Sequence, residues 1–342
     1  MSYARDAATT LFINDERELR CGWRVLVFFI TFLILSTAFA LITSMIGRII
    51  PTVGRAISGT TTYAPAPEKL AASYIITIVN LSSALLASLF CARLLERRSL
   101  GSVGYRRHPG WGRDFGLGLI LGAVSLGLPV GIMFVCGAVS FRTGTSEVTN
   151  LAPGFIALFI FFLLAAAFEE LLVRGFAFQA LAHNTGPVFA IAATSVAFGL
   201  LHLHNPSVTF FSTINTILAG VWLGTAYWIT RSLWLVTALH LSWNFTMSFI
   251  FGLPVSGISD FVPLAWLVGQ PDTPTWLSGG NYGPEGGAAA TIGILLSTAV
   301  IWKSGLWRAS AEMLDALRHG SRERASFGRD QAQQEVTDAR RQ

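Results

Sequence analysis

Eight apolar runs recur along this 342-residue chain, and several are about as long as a bilayer is thick. Roughly 20 apolar residues in a helix cross the hydrocarbon core. Inside that core every backbone N–H and C=O must be paired within its own segment or around a closed barrel, and continuous rather than alternating apolar runs select helices. The runs cover 25–46, 71–92, 115–139, 153–181, 186–202, 209–229, 232–251 and 288–301. They predict an all-α fold, a polytopic transmembrane helix bundle of about eight spans. Charged residues make up only 13% of the chain, against a usual quarter or so, which leaves too little polar surface for a soluble protein of this size.

Positive charge orients the bundle. Counted on alternate sides of eight spans, 20 of the 24 Lys and Arg fall on one side, which predicts cytoplasmic N- and C-termini. The strongest single signal is the short connection holding Arg93, Arg97, Arg98, Arg106, Arg107 and Arg113. The net charge of +5 therefore reads as topology, not as a nucleic-acid surface. Ala38-Phe39-Ala40 mimics a signal-peptidase site, but the apolar run continues past it, so the first span is expected to be an uncleaved anchor. The Gly-, Thr- and Pro-rich stretch 48–69 reads as a loop, and so does 252–285, placed outside. The third span carries Gly116, Gly118, Gly122, Gly127 and Gly131 with an internal Pro129, a composition that permits close helix approach and a kink. Trp302 and Trp307 read as interfacial anchors, and 309–317 as an amphipathic surface helix in a charged tail. Cys21, Cys91 and Cys136 are scattered, so neither a disulfide framework nor a CxxC metal knuckle is available.

Against this apolar background a few polar residues stand out by depth. Glu169 and Glu170 follow the apolar run 152–167, and a carboxylate at the centre of a membrane helix costs about 2.5 to 3.5 kcal/mol on insertion scales. Glu170 and Arg174 are spaced i, i+4, which suits an ion pair easing a helix end toward the headgroups. That structural reading does not cover His202, His240 and Asn244, which lie on two further spans; His240 and Asn244 share one helix face. Two carboxylates, two histidines and an amide suit a zinc ion or a water activated by a Glu/His pair. Helix-length counting leaves their depths spread over about 12 Å, which tilt or a deeper start to the fifth span would have to absorb. His204 reads as a helix-end residue ahead of Pro206.

Glu169-Glu170-Leu171-Leu172-Val173-Arg174 resembles the EExxxR motif of the CPBP family of intramembrane proteases, which includes the type II CAAX prenyl endopeptidases and bacteriocin-processing proteins. Phe198 to His202 is similar to that family's FxxxH motif and His240 to Asn244 to its Hxxx(N/D) motif, in the same order and on separate spans. The resemblance implies an intramembrane endopeptidase acting on a membrane-associated protein or peptide. Glu169 and His202 would activate water, directly or through a zinc ion held by Glu169, His202 and His240. His240 and Asn244 would stabilise the oxyanion or complete a ligand set, and Glu170 and Arg174 would orient the others. Hydropathy and charge, with the resemblance marking the core, divide the chain into a cytoplasmic tail 1–24, spans one to three in 25–150, a catalytic core 151–251, an external loop 252–285, a last span 286–308 and a charged tail 309–342. The resemblance also implies a multi-pass cell-membrane protein, in the inner membrane if the chain is bacterial. Two other classes fit the same residues: a proton-coupled transporter using them as a relay, and a non-catalytic membrane scaffold or immunity protein.

Overall fold

The computed structural model of the chain describes residues 12–13, 19–50, 53–54, 66–98, 100–144 and 148–314. All eight apolar runs are helical within that range. In chain order the helices are α1 (Cys21–Ile49), α2 (Ala66–Glu96), α3 (Trp111–Val135), α4 (Val148–Glu170), α5 (Phe176–Thr185), α6 (Pro187–Leu201), α7 (Phe210–Thr230), α8 (Leu233–Phe245) and α9 (Ala288–Lys303). A π-helical turn, Leu171–Gly175, joins α4 to α5, so the fourth run is one segment, Leu151–Thr185, 35 residues long. A second π-helical turn, Thr246–Ile250, extends α8.

Among the described residues five segments are long and apolar enough to cross a membrane: Cys21–Ile49, Glu68–Glu96, Trp111–Val135, Leu151–Thr185 and Leu233–Ile250. The other three differ in kind. The helices α6 and α9 are apolar but only 15 and 16 residues long, or about 22 to 24 Å at 1.5 Å per residue. At 21 residues α7 has the length, yet it buries Ser212, Asn215, Thr216 and Thr225. These three belong to the interior of the bundle as much as to its lipid face.

The bundle is layered around α8. In the Leu233–Ile250 segment 89% of the apolar window is buried, whereas in α1 the figure is 6%. Helix α8 packs most heavily on α3 and α4, while α1 rests on α2 and α5 at the periphery. The close α3–α8 contact has a local cause. A Cβ at Gly118 would meet Ala238 Cβ at 2.8 Å, and one at Gly122 would meet the Leu239 carbonyl oxygen at 2.5 Å. Gly116, Gly127 and Gly131 have open space, so only two of the five glycines serve the approach expected of them.

Several expectations are corrected. The helical bundle stands, but it carries one small pairing the apolar runs did not foretell: β1 (Val139–Thr143) pairs antiparallel with β2 (Leu267–Pro271), Val139 opposite Pro271 and Thr143 opposite Leu267. The third run therefore ends at Val135, where Cys136 caps it and Gly137 turns the chain at φ 68° into β1. Two strands of five residues leave no pattern that stands out beside an apolar run, so 267–271 read as loop. The connection expected over 48–69 is helical at both described ends, since α1 runs to Ile49 and α2 starts at Ala66; 51–52 and 55–65 lie outside the described residues. Trp302 is exposed, as an interfacial anchor should be, but Trp307 is 4% exposed and packs in the core. Much of the N-terminal tail, and 315–317 of the expected surface helix, also lie outside the described residues.

Candidate active site

The site starts where α4 gives way to the π-helical turn. A wider turn of this kind is frequent at functional positions, because it redirects side chains without ending the helix. Here it follows directly on Glu169 and Glu170. Glu170 is fully buried, and so is Arg174. Arg174 Nη1 donates to both Glu170 oxygens, at 3.0 and 3.1 Å, and Nη2 donates to the Gly220 carbonyl of α7 at 3.1 Å. The expected i, i+4 ion pair exists, but deep in the protein and not as a helix-end anchor. Its guanidinium also lies 4.7 Å from the centroid of Phe198, an attraction of about 1 to 2 kcal/mol once water is excluded. Phe198 in turn packs on both histidines, 4.6 Å from the His202 ring and 6.1 Å from the His240 ring.

Both histidines are held by one ring nitrogen and present the other. His240 Nδ1 donates to Glu170 Oε1 at 2.8 Å, because a carboxylate paired with arginine can only accept. His202 caps α6, and its Nδ1 donates to the Phe198 carbonyl at 2.7 Å. The two Nε2 atoms then converge on Glu169 Oε2, His240 at 3.7 Å and His202 at 4.0 Å. That oxygen is buried and has no hydrogen-bond partner. Separations above 3.5 Å between polar atoms leave room for a bridging water. The 12 Å depth spread counted from sequence disappears in the fold. Only Gly186 separates α5 from α6, and the short α6 brings its C-terminal histidine back beside α4.

These groups open into a cavity of about 620 Å³. Glu169, His202, His240 and Asn244 all line it, with Phe198, Trp222 and Trp243 among the apolar walls. Asn244 lies one helical turn beyond His240, as the spacing predicts. His204 is exposed and does not line the cavity. All six residues singled out by motif are thus gathered around one point, in two tiers: Glu169, His202, His240 and Asn244 at the cavity, Glu170 and Arg174 behind them.

Whether the cluster suits a metal turns on its spacing. Two imidazole nitrogens and a carboxylate are zinc-type donors, and each histidine is braced through its other nitrogen as metal-bound histidines are. However, donors on a tetrahedral zinc with bonds near 2.0 to 2.1 Å sit only about 3.3 Å apart. The present gaps of 3.7 and 4.0 Å are wider, and among the described residues no group of three or more His, Cys, Asp or Glu is disposed to hold a metal ion. As arranged, the three do not fit a bound zinc.

Two carboxylates that line the cavity, Asp260 and Glu285, have no place in the three motifs. Glu285, on the turn Pro284–Gly286 before α9, lines the cavity and accepts hydrogen bonds from Trp243 Nε1 at 3.0 Å and from Ser256 N and Oγ at 2.7 Å. The only sequence signal was the Gly283-Pro284-Glu285-Gly286 string leading into the last apolar run.

Comparison with known proteins bears on the same stretch. Residues 151–246 match a family model described as type II CAAX prenyl endopeptidase Rce1-like. The match spans less than a third of the chain, and it takes in α4 to α8 with every motif residue of the site. It agrees with the resemblance drawn from the motifs. No curated protein matches the chain.

Proposed function

We propose, from the Rce1-like match and the geometry it encloses, that this chain is an intramembrane endopeptidase that hydrolyses a peptide bond of a membrane-associated protein or peptide. The observation that carries the reading is the convergence of two histidine Nε2 atoms on an unpartnered, buried Glu169 oxygen at the wall of a cavity large enough for a peptide segment. A proton relay would fit the same residues, and it is the Rce1-like match that favours hydrolysis over a transporter or a scaffold.

The chemistry follows from counting protons. With Nδ1–H committed on both rings, neutral His202 and His240 each present an acceptor, and Glu169 Oε2 is a third. One water supplies only two hydrogens, so one of the three groups must carry a proton. His240 is the one with a carboxylate, Glu170, against its other nitrogen to balance that charge. The water then lies between Glu169 and His202, Glu169 taking its proton as the oxygen attacks the carbonyl carbon. His240 Nε2–H and the Asn244 amide face the oxygen on which negative charge develops. The C–N bond breaks as the proton held by Glu169 passes to the leaving nitrogen. Arg174 holds Glu170 in place through Nη1, so that His240 stays oriented.

Cleavage of a prenylated peptide reconstituted with the full chain in lipid tests this. Glu169→Ala should lower turnover by about 10² to 10⁴, the range for loss of a general base. Cleavage at the wild-type rate by that variant would remove Glu169 from its role as base, and no cleavage by the wild-type chain would remove the hydrolytic reading and leave the scaffold.

A further inference from the structure

We infer that Glu285 is a positioning residue for this reaction, tying the two histidine-bearing elements to one another from outside the three motifs. The inference rests on the hydrolytic reading above. Its carboxylate joins two arms. One runs from Oε1 to the indole N–H of Trp243, the residue next to Asn244 and one turn from His240 on α8. The other runs from Oε2 to the backbone N–H and hydroxyl of Ser256. The Ser256 carbonyl accepts from Asn205 Nδ2 at 3.1 Å, and the Asn205 N–H donates to the His202 carbonyl at 3.1 Å. An unbroken chain of hydrogen bonds therefore leads from the His202 turn, through Glu285, to the α8 segment that carries His240 and Asn244.

Two further features show that Glu285 is held for this purpose. Its own backbone is fixed: Asn215 Nδ2 of α7 donates to the carbonyls of Glu285 at 2.9 Å and Gly287 at 3.0 Å, and Thr291 of α9 holds the Asn215 oxygen at 2.7 Å. Ser256 adopts φ 48°, a conformation uncommon for a residue with a side chain. Such backbone persists only where the surroundings over-determine it, and here Glu285 Oε2 takes both Ser256 donors. A carboxylate, with two oxygens and no donor, can receive all three hydrogen bonds at once; an amide cannot.

The side-chain hydrogen bonds of Glu285 go to Trp243 and Ser256, which it positions, so its loss should move turnover more than substrate affinity. In the full chain reconstituted with a prenylated peptide, Glu285→Ala should lower kcat by about 10- to 100-fold, the usual size for residues that orient catalytic groups, with KM within about twofold. Glu285→Gln should recover part of this, since its one oxygen can still serve one arm. Trp243→Phe and Asn205→Ala each cut one arm, and combining either with Glu285→Ala should cost much less than the product of the separate losses. Glu169→Ala runs alongside. If the wild-type chain shows no turnover, the hydrolytic reading has failed, and if Glu169→Ala retains turnover, the Glu169 assignment has failed; if Glu169→Ala is inactive while Glu285→Ala keeps the wild-type kcat, the positioning inference alone is overturned. Should Glu285→Ala not fold, the single-arm variants decide, and wild-type kcat in both overturns the inference.

Discussion

Two buried ionic clusters lie in this bundle, and they differ in one respect. The first joins α1, α2, α5 and α7: Arg24 meets Glu96 at 3.2 Å, Glu96 meets Arg98 at 3.1 Å, Arg98 donates to Gln179, and Gln179 donates to Tyr227 and to the Ser102 carbonyl. The second is Glu169, Glu170, Arg174, His202 and His240. Both bury charge that costs several kcal/mol per ion to take out of water. In the first cluster each Glu96 oxygen has a guanidinium within ion-pair distance, Arg24 at 3.2 Å and Arg98 at 3.1 Å, although the Arg98 pairing is not aligned as a hydrogen bond. In the second, Glu170 is paired with Arg174, but Glu169 Oε2 has no guanidinium beside it and is turned to two imidazole nitrogens across gaps of 3.7 and 4.0 Å. Closure marks charge that holds helices together; an acceptor left open beside a cavity marks charge available to a reactant.

Substitutions can break that contrast. The largest effect belongs to His202→Ala, which removes a group touching the water and should abolish turnover in a reconstituted peptide-cleavage assay while the protein stays folded. Metal analysis of the same preparation sharpens the mechanism. The water-activation reading expects no stoichiometric zinc in wild type, and zinc that is lost in His202→Ala would recast Glu169, His202 and His240 as ligands. Next comes Asn244→Ala, expected to lower turnover by about 10² to 10³, the size for one oxyanion donor. A full-rate Asn244→Ala enzyme would sink the oxyanion role. Arg174→Ala should follow, lowering kcat by about 10- to 100-fold with a loss of melting temperature, because Glu170 is left buried without its cation. Arg174→Ala and Arg174→Lys at wild-type rate would mean that Glu170 needs no cationic partner to orient His240. The smallest effect on turnover belongs to Arg98→Ala. It should leave kcat of the folded protein within about twofold, yet cost about 3 to 5 kcal/mol of stability, as breaking buried ion pairs does.

Much of the second cluster was legible in sequence because carboxylates and histidines are conspicuous in apolar runs. Glu169, Glu170, Arg174, His202, His240 and Asn244 could all be named before their distances were known. Their convergence could not, since it depends on the single-residue corner at Gly186 and on the shortness of α6, which helix-length counting treats as an error in depth. The first cluster was hidden for the opposite reason. Arg24, Arg98 and Glu96 lie at the ends of spans, where charge is expected and reads as topology; Arg98 counted among the positive charges of a loop, yet it is 5% exposed. Gln179 and Glu285 were hidden because their roles are set by partners far away in sequence, Arg98 and Tyr227 for one, Trp243 and Ser256 for the other. The β1–β2 pairing escaped because five-residue strands carry little pattern of their own.

The most direct test sets one carboxylate from each cluster against the other. Glu169→Gln and Glu96→Gln are near-isosteric changes that remove charge and keep shape, measured in the same lipid for turnover and for melting temperature. The account predicts a crossover: Glu169→Gln melts close to wild type and cleaves at least about 10² more slowly, while Glu96→Gln melts well below wild type and, where folded, cleaves at the wild-type kcat. Undiminished cleavage by Glu169→Gln, or an equal loss of kcat in folded Glu96→Gln, would contradict it.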